Sequence, residues 1–288
     1  MVMTLVEEHG FAMRISCGGT EIARYVYRPD DARLESPRPY LHPLRTLAGR
    51  VVSLYRPHDH VWHKGIAWSL PNVGPANFWG GTTFRRDRGY EQLPNNGTMR
   101  HTGFTEVTAT HEVVRLAHTL EWVTEQGQVW FTEARSLSFQ VVDGAWALRF
   151  GTVFTNVSGE EIVIGSPTTE GRPNAGYGGL FWRGPRAFTG GSVHVPGTVG
   201  GDELMGVRAP WLAFRGRHDG GGELSTLVFV APEEPKWFVR SQPFAAVCPA
   251  PFFDREVPVG ADQALSRHYT VVVADGAPDP AALARVVA

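Results

Sequence analysis

The chain has 288 residues, of which 42% are hydrophobic and 19% charged, with a formal net charge of −2. That length suits one large β domain or two small ones, and the composition is that of a globular protein rather than a disordered one. No lysine- or arginine-rich block provides a footprint for nucleic acid, and no apolar run approaches membrane-spanning length, so neither partner is expected.

The first ten residues carry Glu7 and Glu8 and lack a basic stretch leading into an apolar one. The expectation is a chain without a secretory signal, working in the cytoplasm. Cys17 and Cys248 are far apart in sequence and are read as two reduced thiols. Period-two alternation then dominates and predicts half-buried strands at residues 12–16, 21–27, 50–54, 112–122, 129–139 and 145–155. Further strands are predicted at residues 162–164, 224–230, 236–240 and 268–273. On the 129–139 strand, Glu133 and Arg135 interrupt an otherwise apolar face, which is read as partly solvated or turned toward a polar cleft.

Asn95-Asn96-Gly97, Asp143-Gly144 and Asp219-Gly220 mark turns, in keeping with 33 glycines and 21 prolines. Two stretches, residues 71–96 and 167–210, read as long ordered loops, a feature that usually accompanies function. One short helix is expected at residues 281–287, with Asp279 as cap and Pro280 in its first turn. Without strand–helix alternation there is no parallel α/β sheet. The expected fold is all-β: one large antiparallel β-sandwich over residues 1–288, with long loops and a short C-terminal helix.

The chemistry is concentrated in Pro57-His58-Asp59-His60-Val61-Trp62-His63-Lys64-Gly65, with His42 just upstream in Arg38-Pro39-Tyr40-Leu41-His42-Pro43. Histidine titrates nearest neutrality and is the commonest metal ligand. If the chain is extended here, His58 and His60 share a face and Asp59 takes the other; His63 joins them only if it bends near Val61-Trp62. The cluster reads either as a metal site on His58, His60 and His63 with a divalent ion, or as acid–base groups. The blander alternative is structural histidines bonded to loop carbonyls.

A second dense segment runs from Thr168 to Arg183 and holds Glu170, Arg172, Tyr177, Phe181, Trp182 and Arg183 among several glycines. Glu170 is a candidate base, Arg172 and Arg183 candidates for gripping an oxyanion or a sugar oxygen, and the aromatic residues a stacking wall for a pyranose. The alternative is a glycine-rich corner of the sandwich. Trp79 and His101 are candidates for the same pocket. No nucleophile elbow, phosphate loop or dinucleotide fingerprint is present.

Arg38-Pro39-Tyr40 with His42-Pro43, Pro57 with Asp59-His60 and His63-x-Gly65, then Phe78-Trp79, resemble a soluble bacterial family labelled "methane oxygenase PmoA". Gly97 with His101, and Tyr177-Gly178-Gly179-Leu180 with Arg183, are similar to that family's later motifs, so the resemblance covers residues 38–183. Trp62 stands where members of the family often carry another histidine, which weakens a metal reading. The oxygenase label itself does not suit a chain with no spanning segment.

What the resemblance implies is a galactose-mutarotase-like β-sandwich linked to sugar catabolism. By analogy, His60 or His63 would be the acid and Glu170 the base, with Arg38, His42, Asp59, Trp79, His101, Arg172, Tyr177 and Arg183 binding substrate. The expected activity is acid–base chemistry (epimerisation, elimination or hydrolysis) on a sugar or oxidised glycoside. The rivals are a non-catalytic sugar-binding protein and a metal-dependent oxygenase or hydrolase. A small carbohydrate is the expected partner, and a homo-oligomer is compatible with the sequence.

Overall fold

The computed structural model describes residues 1–287. Among them, antiparallel strands form an eight-stranded and a nine-stranded sheet. The first is ordered Met3–Glu8, Ala12–Cys17, Thr20–Val26, Tyr40–Leu44, Ile66–Ser69, Gly179–Arg183, Ala246–Ala250, Lys236–Arg240. The second is ordered Thr198–Gly200, Ser192–Val195, Trp211–Arg217, Leu224–Val230, Ala264–Asp275, Ala145–Asn156, Val129–Val142, Val113–Val123, Thr98–Ala109. The chain is thus all-β, and its long alternating strands at 113–156 are those the sequence pattern predicts.

The sheets meet through rings. Trp68 packs against Phe150, Phe154 and Tyr269, and Trp182 against Phe214 and Phe229, each pair crossing from one sheet to the other. Alternation assigns the faces: Leu180 and Trp182 turn into this core, whereas Phe181 packs in a separate cluster with Trp79, Phe238 and Phe253. The helix Pro280–Val287 adds a partial third layer. The Asp279 carboxylate accepts the Ala281 N–H (3.0 Å), and Leu283, Ala284 and Val287 cover small residues, Ala145, Ala147 and Ala213, on the far side of the nine-stranded sheet. No helix among the described residues is long and apolar enough to cross a membrane.

Several expectations require correction. Residues 50–54 form no strand; Val51 and Tyr55 make only isolated bridges. The 167–210 segment is not one long loop, because it contains Gly179–Arg183, an interior strand of the eight-stranded sheet with all five residues buried. A strand buried on both faces has no alternation to read. Likewise, residues 71–96 contain the short strands Asn72–Val73, Thr83–Arg85 and Gly89–Glu91.

Glu133 and Arg135 are neither solvated nor in a cleft. Both lie inside the sandwich, where Arg135 Nε and Nη2 donate to Glu133 at 2.7 and 3.0 Å. Trp122 Nε1 and Thr152 Oγ1 donate to the same carboxylate, each at 2.7 Å, which satisfies its lone pairs. Cys17 and Cys248 are free and buried.

Candidate functional site

A cavity of about 590 Å³ opens on the outer face of the eight-stranded sheet. Phe181 and Phe238 come from neighbouring parts of that sheet, and loops supply the walls: His60, Trp62 and His63 on one side, Trp79 and Gly80 on another. Thr82, Tyr90, Arg172, Tyr177, Arg240, Pro243 and Phe244 complete it. The volume lies in the range of small-molecule sites, roughly 300–1,000 Å³.

Two successive turns build the histidine wall. The His60 N–H donates to the Pro57 carbonyl (3.0 Å) and the His63 N–H to the His60 carbonyl (2.9 Å), so the chain bends twice instead of running straight. His60 and His63 thereby stack, with ring centroids 4.6 Å apart and planes within 12°. His63 also lies 4.6 Å from Phe181 and meets Trp79 edge-on at 5.7 Å. Asn77 sets Trp79 in place, its carboxamide oxygen accepting the Trp79 and Gly80 N–H groups at 2.8 and 2.9 Å. Gly80 and Gly81 have φ of +105° and +68°, and a Cβ on either would fall 2.6–2.8 Å from Trp62. Glycine here lets Trp62 lie flat on the backbone.

The partners of the two imidazoles fix opposite protonation patterns. Arg183 Nη1 can only donate, so His63 Nδ1 accepts (2.9 Å) and its proton sits on Nε2. Burial holds His63 well below its ordinary value, and the neighbouring charges of His60 and Arg183 push the same way. His63 is therefore a neutral donor. His60 faces a carboxylate: Nδ1–H donates to Asp59 Oδ2 at 2.8 Å, which leaves Nε2 to accept or carry a proton. Burial alone would raise the Asp59 carboxyl, but hydrogen bonds from His60 and Arg183 hold it far below the carboxylate range. Arg183, 1% exposed, also reaches Asp59 (3.0 Å), and its guanidinium lies 3.8 Å from the Phe244 ring centre.

Of the residues singled out from sequence, His60, His63, Trp79, Arg172, Tyr177 and Phe181 line the cavity, whereas Trp182, expected in the same stacking wall, turns into the core. Asp59 and Arg183 stand behind the histidines. Arg38 is buried and braces the wall, donating to the Trp62 carbonyl (2.7 Å), the Glu35 and Ser36 carbonyls (2.9 Å each) and Ser69 Oγ (2.6 Å). Four candidates lie elsewhere. Glu170 sits in the Ser166–Arg172 turn outside the lining, because the backbone there coils on itself through the Glu170 N–H to Ser166 carbonyl bond. His42 bonds Ser53 Oγ (2.8 Å) and stacks on Tyr55. His101 pairs with His118 (Nδ1 to Nδ1, 2.9 Å) between the sheets. His58 is turned outward, its Nδ1 accepting from Arg186.

A divalent metal on His58, His60 and His63 does not fit these residues. Guanidiniums occupy His58 Nδ1 and His63 Nδ1, and Asp59 is already shared by His60, Arg183 and Arg186. Among the described residues no three His, Cys, Asp or Glu side chains converge as a ligand set. Thr82, Tyr90, Phe238, Arg240, Pro243 and Phe244 line the cavity without having been candidates. For Phe238 and Arg240 the sequence signal is the alternation of Lys236–Arg240, which separates them from the core-facing Trp237 and Val239; Phe244, in the connection that follows, carries none.

Comparison with solved structures finds low-identity likeness. The α-galactosidase AgaB of Geobacillus stearothermophilus is 12% identical, with a TM-score of 0.43 over 96% of this chain and 41% of that one. Galactose 1-epimerase from Lactobacillus acidophilus is 8% identical (TM-score 0.40; 96% and 98% covered). A galactose mutarotase-like protein from Lactobacillus casei is 9% identical (0.34; 94% and 99%). The chain spans about two fifths of the α-galactosidases it resembles. None of the curated proteins matches it. A family model does, over residues 12–288, and the chain belongs to that family, the family of unknown function DUF6807.

Proposed function

We propose that the cavity is the active site of a carbohydrate-active enzyme that performs acid–base chemistry on a sugar or oxidised glycoside. One observation carries the reading: two stacked imidazoles with opposite, externally fixed protonation patterns face an aromatic-walled cavity. His60, ordered by Asp59, takes a proton from a sugar O–H or C–H at Nε2 and returns it at the other face or to a leaving oxygen. His63 donates its Nε2–H to the sugar oxygen on which negative charge grows, and burial keeps it neutral while it does so. Trp79 and Tyr177 offer ring faces to the C–H side of a pyranose, and Trp62 and Phe244 limit water. Asp59 replaces Glu170 as the partner carboxylate. Kinship with the PmoA-like group and its link to sugar catabolism are part of this reading.

Incubation in D2O with a panel of aldoses, keto-sugars and glycosides, followed by NMR, tests it. The expected result is accelerated anomer exchange, deuterium incorporation or bond cleavage for some member. His60→Ala is expected to lose about 10²- to 10⁴-fold in rate while keeping the fold. Sugar binding without turnover in the wild type would make this a binding protein instead.

A further inference from the structure

The lining of the cavity contains two guanidiniums and no carboxylate. Among the described residues Arg172 has no acidic partner; its Nη1 donates to Tyr90 Oη at 2.5 Å and the guanidinium lies over that ring at 4.9 Å. Arg240 has one loose partner, Asp202, at 3.7 Å. The other oxygen of Asp202 is taken by the Ser241 and Gln242 N–H groups at 2.5 and 3.0 Å. Because His63 is neutral and Asp59 is matched behind the wall by Arg183 and Arg186, these two arginines give the open volume its charge. A concave, partly apolar site concentrates such a field.

The arginines are also set apart from the proton-transfer pair. A row of rings lies between them: Arg240 over Phe238 (5.7 Å), Phe238 against Tyr177 (5.5 Å), Tyr177 against Trp79 (4.6 Å), and Trp79 against His63 (5.7 Å). Tyr90 Oη, 2.9 Å from Tyr177 Oη, ties Arg172 to the same row. We propose that the cavity takes an anionic saccharide, the sugar ring lying along the aromatic row toward His60 and His63 and its carboxylate or phosphate held by Arg172 and Arg240. The assignment rests on the carbohydrate reading of the same cavity and adds the charge of the substrate. Guanidinium suits both anions, since its planar fork donates two parallel hydrogen bonds.

Titration of cavity tryptophan fluorescence, backed by calorimetry, compares galactose and glucose with galacturonate, glucuronate and the two 6-phosphates. The expected result is that an anionic member binds at least ~10-fold more tightly than its neutral counterpart, and that the margin shrinks as salt rises. Preference among uronates or among phosphates identifies the anion. Arg240→Met and Arg172→Met are each expected to remove most of the margin, with thermal melts checking the fold. The salt dependence of the wild type stands as evidence even if a variant unfolds. Equal binding of neutral and anionic sugars overturns the proposal and leaves the acid–base reading intact. No binding by any sugar overturns both. Anionic preference with turnover unaffected by His60→Ala upholds the charge assignment and sinks the catalytic one.

Discussion

Arg183 Nη1 donates to His63 Nδ1 at 2.9 Å across 120 residues of sequence, and so decides which ring nitrogen of His63 carries the proton. The same guanidinium anchors Asp59, which in turn orients His60. One buried arginine thus organises both imidazoles.

Arg183→Met is therefore expected to do more than remove a contact. His63 would lose the bond that fixes its tautomer and a positive charge that depresses its protonation, so its titration should move upward. Asp59 would keep only His60 and Arg186. Imidazole nitrogen NMR of the wild type should show His63 protonated on Nε2 alone across the neutral range, and the variant should show a mixture. Turnover should fall by about 10²-fold or more, with a changed pH profile. A wild-type His63 protonated on Nδ1 would contradict the geometry.

Gly81 makes a narrower test of the wall. An alanine there would hold a Cβ at φ +68°, 2.8 Å from the Trp62 ring. Backbone strain of about 1–3 kcal/mol is expected, and the ring should be driven from its seat. Gly81→Ala should lower the melting temperature modestly and weaken ligand binding more than melting. Unchanged affinity with lowered stability would separate Trp62 from the ligand.

How far the sequence could be read depends on range. The pairing of His60 with His63 is legible because only Val61 and Trp62 lie between them and a local turn suffices to stack them. Extended backbone would put Asp59 on the face opposite His60; the turn from Pro57 to His60 removes that condition and lets the two side chains meet. Glu170 attracted attention as the carboxylate of a dense segment, although the turn that holds it leaves it off the lining. Alternation puts Arg240 on the outer face of its strand, but only the order of the strands brings that face, and Phe244 in the connection that follows, to the cavity. His101 looked like a pocket residue because its partner, His118, is visible only once two strands are registered. Gly179–Arg183 was lost among glycines for the reason that made it important: it is buried on both faces.

The Glu133–Arg135 pair gives a stability prediction. Both side chains are fully enclosed, and Glu133 accepts from three residues. Glu133→Gln removes the charge and leaves Arg135 buried without an anion, at a cost of about 3–5 kcal/mol. Replacing both, as in Glu133→Leu/Arg135→Met, exchanges an ion pair for apolar packing and should cost much less than the single change. Urea denaturation of the two variants against wild type measures this. A double variant weaker than Glu133→Gln would mean that the pair is worth more than its desolvation.

Acid should weaken the fold through histidines held neutral inside it. Burial lowers His42 to about 4, with Arg45 and Arg24 adding to the effect, and lowers His101 to about 4, helped by Arg28. His118 falls to about 2 through burial and then the charges of Arg135 and His101. In the unfolded chain each takes a proton near pH 6.5. Between about 6.5 and 4 the unfolded state therefore binds more protons, and stability, complete above 6.5, falls with pH. By pH 4 the loss should be on the order of 3 kcal/mol per ring, less for the partly exposed His42. Urea midpoints measured from pH 8 to 4 should be level above 6.5 and decline below it. His101→Asn/His118→Gln, whatever its own stability, should flatten that decline. A midpoint independent of pH in this window would mean that these rings take up protons in the folded state as readily as in the unfolded one.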